Sequence, residues 1–292
     1  MTSYLFALAA NLCFSSATIV FSQMIPRTSI LWVNAFKALV ATLACGIGLV
    51  WANPQLSVLS FQSLVLFLTS GLVGLNFADI FLLGAFVRLG PARTLLMYGF
   101  QPFFLSLGGY FALGQPLSIE MIAGVSLMFL CLICVSYEKY RQAGRWEFKG
   151  LFLALSGVFL DASGVLMSRM GMEGAEELPT LVPHFFRSVG ALGGFLFIGL
   201  FVPLRVVELW RGLTRNERFW ITAASFWGTF LSLWLWLTAI RSGHLGSLAS
   251  ISMTGPFFAG VFEHILQRRL PNLIYLFAFI FFASGFMLLI RS

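Results

Sequence analysis

Apolar residues in this chain arrive in long runs, broken by short polar or turn-forming linkers. A helix needs about 20 predominantly apolar residues to cross the hydrocarbon core. Read on that basis, the runs predict ten spans at roughly 4–22, 30–51, 62–86, 91–112, 118–137, 150–170, 182–203, 220–240, 245–266 and 272–290. The linkers carry turn chemistry in Asn53-Pro54, Gly90-Pro91, Gly114-Gln115-Pro116 and Leu270-Pro271. Most are short, so neighbouring spans are expected to form antiparallel hairpins. Trp32, Trp51, Tyr137, Trp146, Trp210 and Trp220 fall near span ends, as an interfacial belt requires. The first run follows Met1 with no basic stretch before it and reads as a span, not a cleaved signal.

The pattern also repeats. RLGPARTLLMYGFQPFF, Arg88 to Phe104, is echoed by RSGHLGSLASISMTGPFF, Arg241 to Phe258. In both, an Arg two residues before a Gly closes one run, and Pro-Phe-Phe falls about three turns into the next. The offset is 153 at Arg88/Arg241 and 154 at Pro102/Pro256. FSSATIV at 14–20 parallels DASGVLM at 161–167 with an offset of 147, and AFKALVATLACGI at 35–47 parallels FFRSVGALGGFLF at 185–197 with 150. The second alignment sets Lys37 against Arg187. Offsets that rise steadily and change only at loops mark a diverged duplication of the whole chain. The expected organisation is a five-helix repeat at 1–140, a basic linker at 141–149 and a second repeat at 150–292. Five is odd, so the second repeat enters the membrane upside down, the inverted arrangement on which many carriers are built.

Composition agrees. Only 10% of residues are charged and 59% are hydrophobic, with mean hydropathy +0.91. A soluble domain carries roughly 25% charged residues, so an all-α integral membrane protein is expected. The net charge of +7 reflects Lys and Arg gathered in loops and implies no nucleic acid partner. The side bearing Arg27, Arg88, Arg93, Lys139, Arg141, Arg145, Lys149, Arg205, Arg211, Arg215, Arg218, Arg268 and Arg269 holds thirteen basic residues, against Arg169, Arg241 and Arg291 on the other. The positive-inside rule places that richer side in the cytoplasm and both termini outside. All four cysteines lie in apolar runs; Cys131 and Cys134 have CxxC spacing but no second pair, and read as packing. No metal or cofactor is expected.

Ten helices in two inverted halves, each with a Lys or Arg early in its second helix and a Pro-aromatic step in its fourth, resemble the drug/metabolite transporter superfamily, closest to its ten-helix EamA-type members. LDASGVLMSR at 160–169 is also similar to the first helix of the small multidrug-resistance proteins, where a membrane carboxylate stands three residues before a Gly. The first half carries Phe14 at the position matching Asp161, so only one half has the acid, and the family's Glu after helix 4 is replaced by Gln115 and Arg269. The resemblance implies a metabolite exporter of the cytoplasmic (inner) membrane, multi-pass, monomeric or homodimeric, with a central cavity and the fifth helix of each half at the periphery. It also implies termini in the cytoplasm, against the charge count.

An ionisable group at the centre of a membrane helix costs about 3 kcal/mol on insertion scales, so each needs a reason. Asp161, about eleven residues into its span, is either a coupling carboxylate or a packing hydrogen bond. Lys37 and Arg187 lie about two turns into theirs; they gate or couple, or they snorkel to an interface. Asp79 reaches the depth of Lys37, and a structural pair would explain both. Asn76, three residues before it on the same face, binds solute or caps that pair. Tyr98 and Gln101 share a face, Pro102 frees the Tyr98 carbonyl, and the repeat supplies Ser252, Thr254 and Pro256; these segments are expected to wall the cavity. Glu263 and His264 form a gate or proton site, or an ion pair with Arg268. Asn11, Ser15 and Ser163 bind solute or let helices approach. Trp227, Trp234 and Trp236 read as packing, with Trp234 the one candidate for the cavity.

The expectation is a secondary transporter of a small polar metabolite such as an amino acid, working by alternating access through a central cavity, with protons possible as the coupling ion. A membrane enzyme would need a catalytic constellation, yet His184, His244 and His264 are scattered, and HExxH, GxSxG and P-loop patterns are absent. A passive scaffold has little reason to keep Asp161, Asn76 and Gln101 at mid-membrane.

Overall fold

The computed structural model describes residues 2–113, 147–173, 175, 177–242, 248 and 273–291, with scattered positions between 119 and 137. The helices are α1 (Thr2–Met24), α2 (Ile30–Ala52), α3 (Phe61–Leu89), α4 (91–113), α5 (Phe148–Glu173), α6 (Leu181–Gly199), α7 (Val206–Gly212), α8 (215–242) and α9 (Leu273–Arg291). No strand occurs among the described residues. Six helices there are long and apolar enough to cross a membrane: Leu5–Arg27, Ile30–Ala52, Phe61–Leu89, Phe148–Glu173, Leu181–Gly199 and Arg215–Arg241. The expected span at 245–266 lies outside the described residues except for Leu248, as do nine of the twenty positions at 118–137 and most of the linker at 141–149.

Helix ends follow local chemistry. Ser29 caps α2 by accepting the Trp32 amide at 3.0 Å, and Ser60 does the same for Ser63 at the head of α3. Thr214 and Glu217 form a reciprocal capping box that starts α8. Gly90, at φ 85°, turns the chain out of α3, and Pro91 opens α4. The seventh expected span is shorter than its apolar run: the chain leaves the helix after Gly199, and the short, unforeseen α7 follows. There Trp210 stacks on Phe36, which stacks on Trp32, with centroids 5.1 Å apart in each pair.

Two helices widen midway. α3 makes a π-helical turn at Leu72–Phe77 and α8 makes one at Phe226–Leu231. The two turns stand 154 residues apart at both ends, the offset that also separates Pro102 from Pro256. Each brings a glycine against a helix of the other half. Gly74 faces Gly164 on α5 so closely that a Cβ on Gly164 would overlap the Ser70 carbonyl and the Gly74 backbone. Gly228 likewise meets Ala17 on α1. Ala17 and Gly164 are themselves 147 apart. Packing keeps the same exchange: α3 lies on α5 and α6, while α8 lies on α1 and α2. Apolar tails give helices no reason to associate by burial alone, so small residues and polar bonds do that work. Ser70 donates to the Gly164 carbonyl at 2.6 Å and stands 2.6 Å from the Ser168 hydroxyl, and Ser232 donates to the Ala10 carbonyl at 2.9 Å.

Candidate functional site: a polar cavity inside the bundle

A cavity enclosing about 700 Å³ of empty space, open solvent included, lies among α1, α2, α3, α4, α5 and α8. Its charged and polar wall is Asn11, Lys37, Asp79, Tyr98, Gln101, Asp161, Thr229 and Ser232, and Phe14, Leu233 and Trp236 supply apolar surface. The break in α4 positions two of these. Pro102 cannot donate to the Tyr98 carbonyl, and the turn Met97–Phe100 tightens to a 3-10 form in which the Gln101 amide takes that carbonyl instead. The sequence reading left the Tyr98 carbonyl free, and the tightened turn occupies it.

Two acids enter the cavity in different company. Lys37, only 3% exposed, donates to Asp79 Oδ2 at 2.8 Å and to Asn34 Oδ1 at 3.1 Å, and its ammonium lies 5.0 Å from the Phe21 ring centroid. The pair expected from depth alone is present, and Lys37 does not snorkel. Asp161 Oδ2 accepts from Gln101 Nε2 at 2.9 Å and makes no ion pair among the described residues. Gln101 Oε1 is buried without a hydrogen-bond partner there.

Arg187 departs furthest from expectation. It is fully buried and reaches no interface, and none of its three guanidinium nitrogens has a hydrogen-bond partner among the described residues. It does not line the cavity; its Nη2 lies in the seam of α3, α5 and α6, 3.2 Å from where a Gly74 Cβ would stand. His184, three residues earlier, shares a 3.0 Å hydrogen bond with the Phe230 carbonyl.

Other expected residues fall outside the cavity for identifiable reasons. Asn76 Nδ2 donates to the Ala191 carbonyl at 3.1 Å and fastens α3 to α6 instead of capping the ion pair. Ser15 is fully buried in the bundle, and Ser163 bonds back to the Phe159 carbonyl at 2.8 Å. Trp234, 38% exposed, stacks on Phe230, while Trp236 two residues on faces the cavity. Thr254, Glu263 and His264 lie outside the described residues. Phe14, Thr229, Ser232, Leu233 and Asn34 were not singled out from sequence; the three-residue spacing of Asn34 and Lys37 on one helix was the available signal.

No curated protein matches the chain. One solved structure, titled only as the crystal structure of a protein, superposes with a TM-score of 0.70 over 98% of this chain and 95% of its own, at 19% identity. At that identity the likeness establishes the fold alone. Residues 1–137 match the EamA-like transporter family, of the drug/metabolite transporter superfamily of membrane proteins.

Proposed function

We propose that the chain is a secondary transporter, in the exporting direction, for a small polar metabolite such as an amino acid. In this reading it is ten transmembrane helices in two inverted five-helix repeats, 1–140 and 150–292, joined by the basic linker 141–149. It sits in the cytoplasmic membrane and alternates the access of its cavity as one half rocks against the other. The observation that carries the reading is the cavity itself, where Asp161, Gln101, Tyr98 and the Lys37–Asp79 pair converge in the middle of an apolar bundle. Charged groups at such depth are expensive and mark solute or ion pathways. The inverted repeat is supported by the equal spacing of the π turns and by interhelical pairings that survive exchange of the halves. The thirteen-to-three bias of basic residues supports termini outside.

Asp161 is the proposed coupling carboxylate, because it faces the cavity and no cation among the described residues neutralises it by contact. The test is purified protein in liposomes, offered a panel of amino acids and other small polar solutes with and without a pH gradient. Asp161→Asn keeps an amide able to bond Gln101, so it should abolish gradient-driven flux while leaving solute binding measurable. Gradient-driven flux unchanged in Asp161→Asn would remove the coupling role, and no flux of any solute by the parent protein would remove the carrier reading.

A further inference from the structure

Among the described residues, Arg187 is the largest fully buried polar side chain without a hydrogen-bond partner, and it does not line the cavity. A desolvated guanidinium left this way is strongly unfavourable, so it should have a partner in another state. The register of the halves says which state. Lys37 and Arg187 occupy matching positions, and so do Asn34 and His184, at the same offset of 150. Asp79, the partner of Lys37, matches Leu233 at the offset of 154 defined by the π turns. The acid that would neutralise Arg187 is therefore a leucine, and that leucine lines the cavity.

In an inverted repeat the opposite-facing state arises when each half adopts the conformation of the other. Lys37 now faces the cavity and Arg187 is in the seam beside Gly74. After the exchange Lys37 would withdraw, and Arg187 would face the cavity with Leu233, not an acid, at the position that matches Asp79. Phe14 and Asp161 also match at an offset of 147, and both line the cavity already, so these positions would face it in either state.

We propose that Arg187 is a state-specific anchor for an oxyanion: in the opposite-facing state its guanidinium holds the carboxylate or phosphate group of the transported solute. The planar fork of a guanidinium matches either group bidentately. The solute class is then an oxyanion-bearing molecule, bound at Arg187 in one state only and released when Arg187 withdraws to the seam. This rests on the alternating, inverted-repeat reading above.

The test separates the two. In a background with Cys13, Cys45, Cys131 and Cys134 replaced by Ala, the variants Phe14→Cys, Lys37→Cys and Arg187→Cys are treated in oriented vesicles with an impermeant sulfonatoethyl methanethiosulfonate. Phe14→Cys should label from both faces, Lys37→Cys from one, and Arg187→Cys only from the other. In the unmodified sequence, phenylglyoxal should modify Arg187, read by peptide mass spectrometry. Benzoate or phenyl phosphate should slow that modification about fivefold, and benzylamine should not. Protection by benzoate alone would assign a carboxylate, and by phenyl phosphate alone a phosphate. Labelling of Phe14→Cys from one face only overturns alternating access itself. Labelling of Phe14→Cys from both faces with Arg187→Cys silent overturns the anchor alone, as does phenylglyoxal modification that neither anion slows. Should Arg187→Cys fail to fold, the phenylglyoxal arm on the intact sequence decides.

Discussion

Lys37 on α2 and Arg187 on α6 lie at matching positions of the two halves, yet their surroundings are opposite. Lys37 has a carboxylate at 2.8 Å, an amide oxygen at 3.1 Å and an aromatic face. Arg187 is as deeply buried, and its nearest acids, Asp161 and Asp79, act on it only through space. The first half has spent its charge on a satisfied pair, which rigidifies that side of the cavity. Among the described residues, Arg187 and Asp161 of the second half have no ion-pair partner, and Asp161 bonds to Gln101 instead.

Breaking the satisfied side should give the largest effect. Asp79→Ala leaves the Lys37 ammonium buried beside Asn34 alone, and removing one member of a buried pair destabilises by about 3–5 kcal/mol. Thermal unfolding in detergent should show a steep fall, and the double change Lys37→Met with Asp79→Leu should recover most of it. If Asp79→Ala unfolds like the parent, the pair is not what holds α2 to α3.

Next in size is the seam between α3 and α5. Gly164→Ala places a methyl group against the Ser70 carbonyl and the Gly74 backbone, both of them main chain that cannot rotate away. Overpacking of this kind costs about 1–3 kcal/mol. The matching contact of Gly228 with Ala17 already holds one methyl group, which Ala17→Gly would remove with a smaller effect. A thermal shift for Gly164→Ala no greater than that for Ala17→Gly would mean that the two contacts are equally tight.

How much of this could be read from the sequence depends on what the signal measures. Run length located the six long apolar helices, because bilayer thickness fixes it, and the depth of Lys37 and Asp79 was enough to pair them. Rotation about each helix axis was not legible. Helices apolar on every side have no polar face to set their phase, so Trp234 was favoured over Trp236, and Asn76 was assigned to solute or to the ion pair when it fastens α3 to α6. The π turns shift that phase within α3 and α8, and nothing in LVGLNF or FWGTFL signals one. The orphaned state of Arg187 was hidden for a different reason. It follows from a residue that is absent, the acid missing at Leu233, and emerges only when the two halves are laid in register.

The smallest expected effect is the most telling for the comparison. Arg187→Met keeps a long unbranched side chain in the seam and removes a guanidinium that has no hydrogen-bond partner there. Because a buried charge without a partner is unfavourable, its loss should leave thermal stability unchanged or raise it by about 1 kcal/mol. Lys37→Met, its counterpart, strips a partner from Asp79 and should lower stability. Opposite signs at matching positions would establish that burial was arranged for stability on one side and for a change of state on the other. A fall in stability for Arg187→Met comparable to that for Lys37→Met would instead make Arg187 an ordinary structural residue.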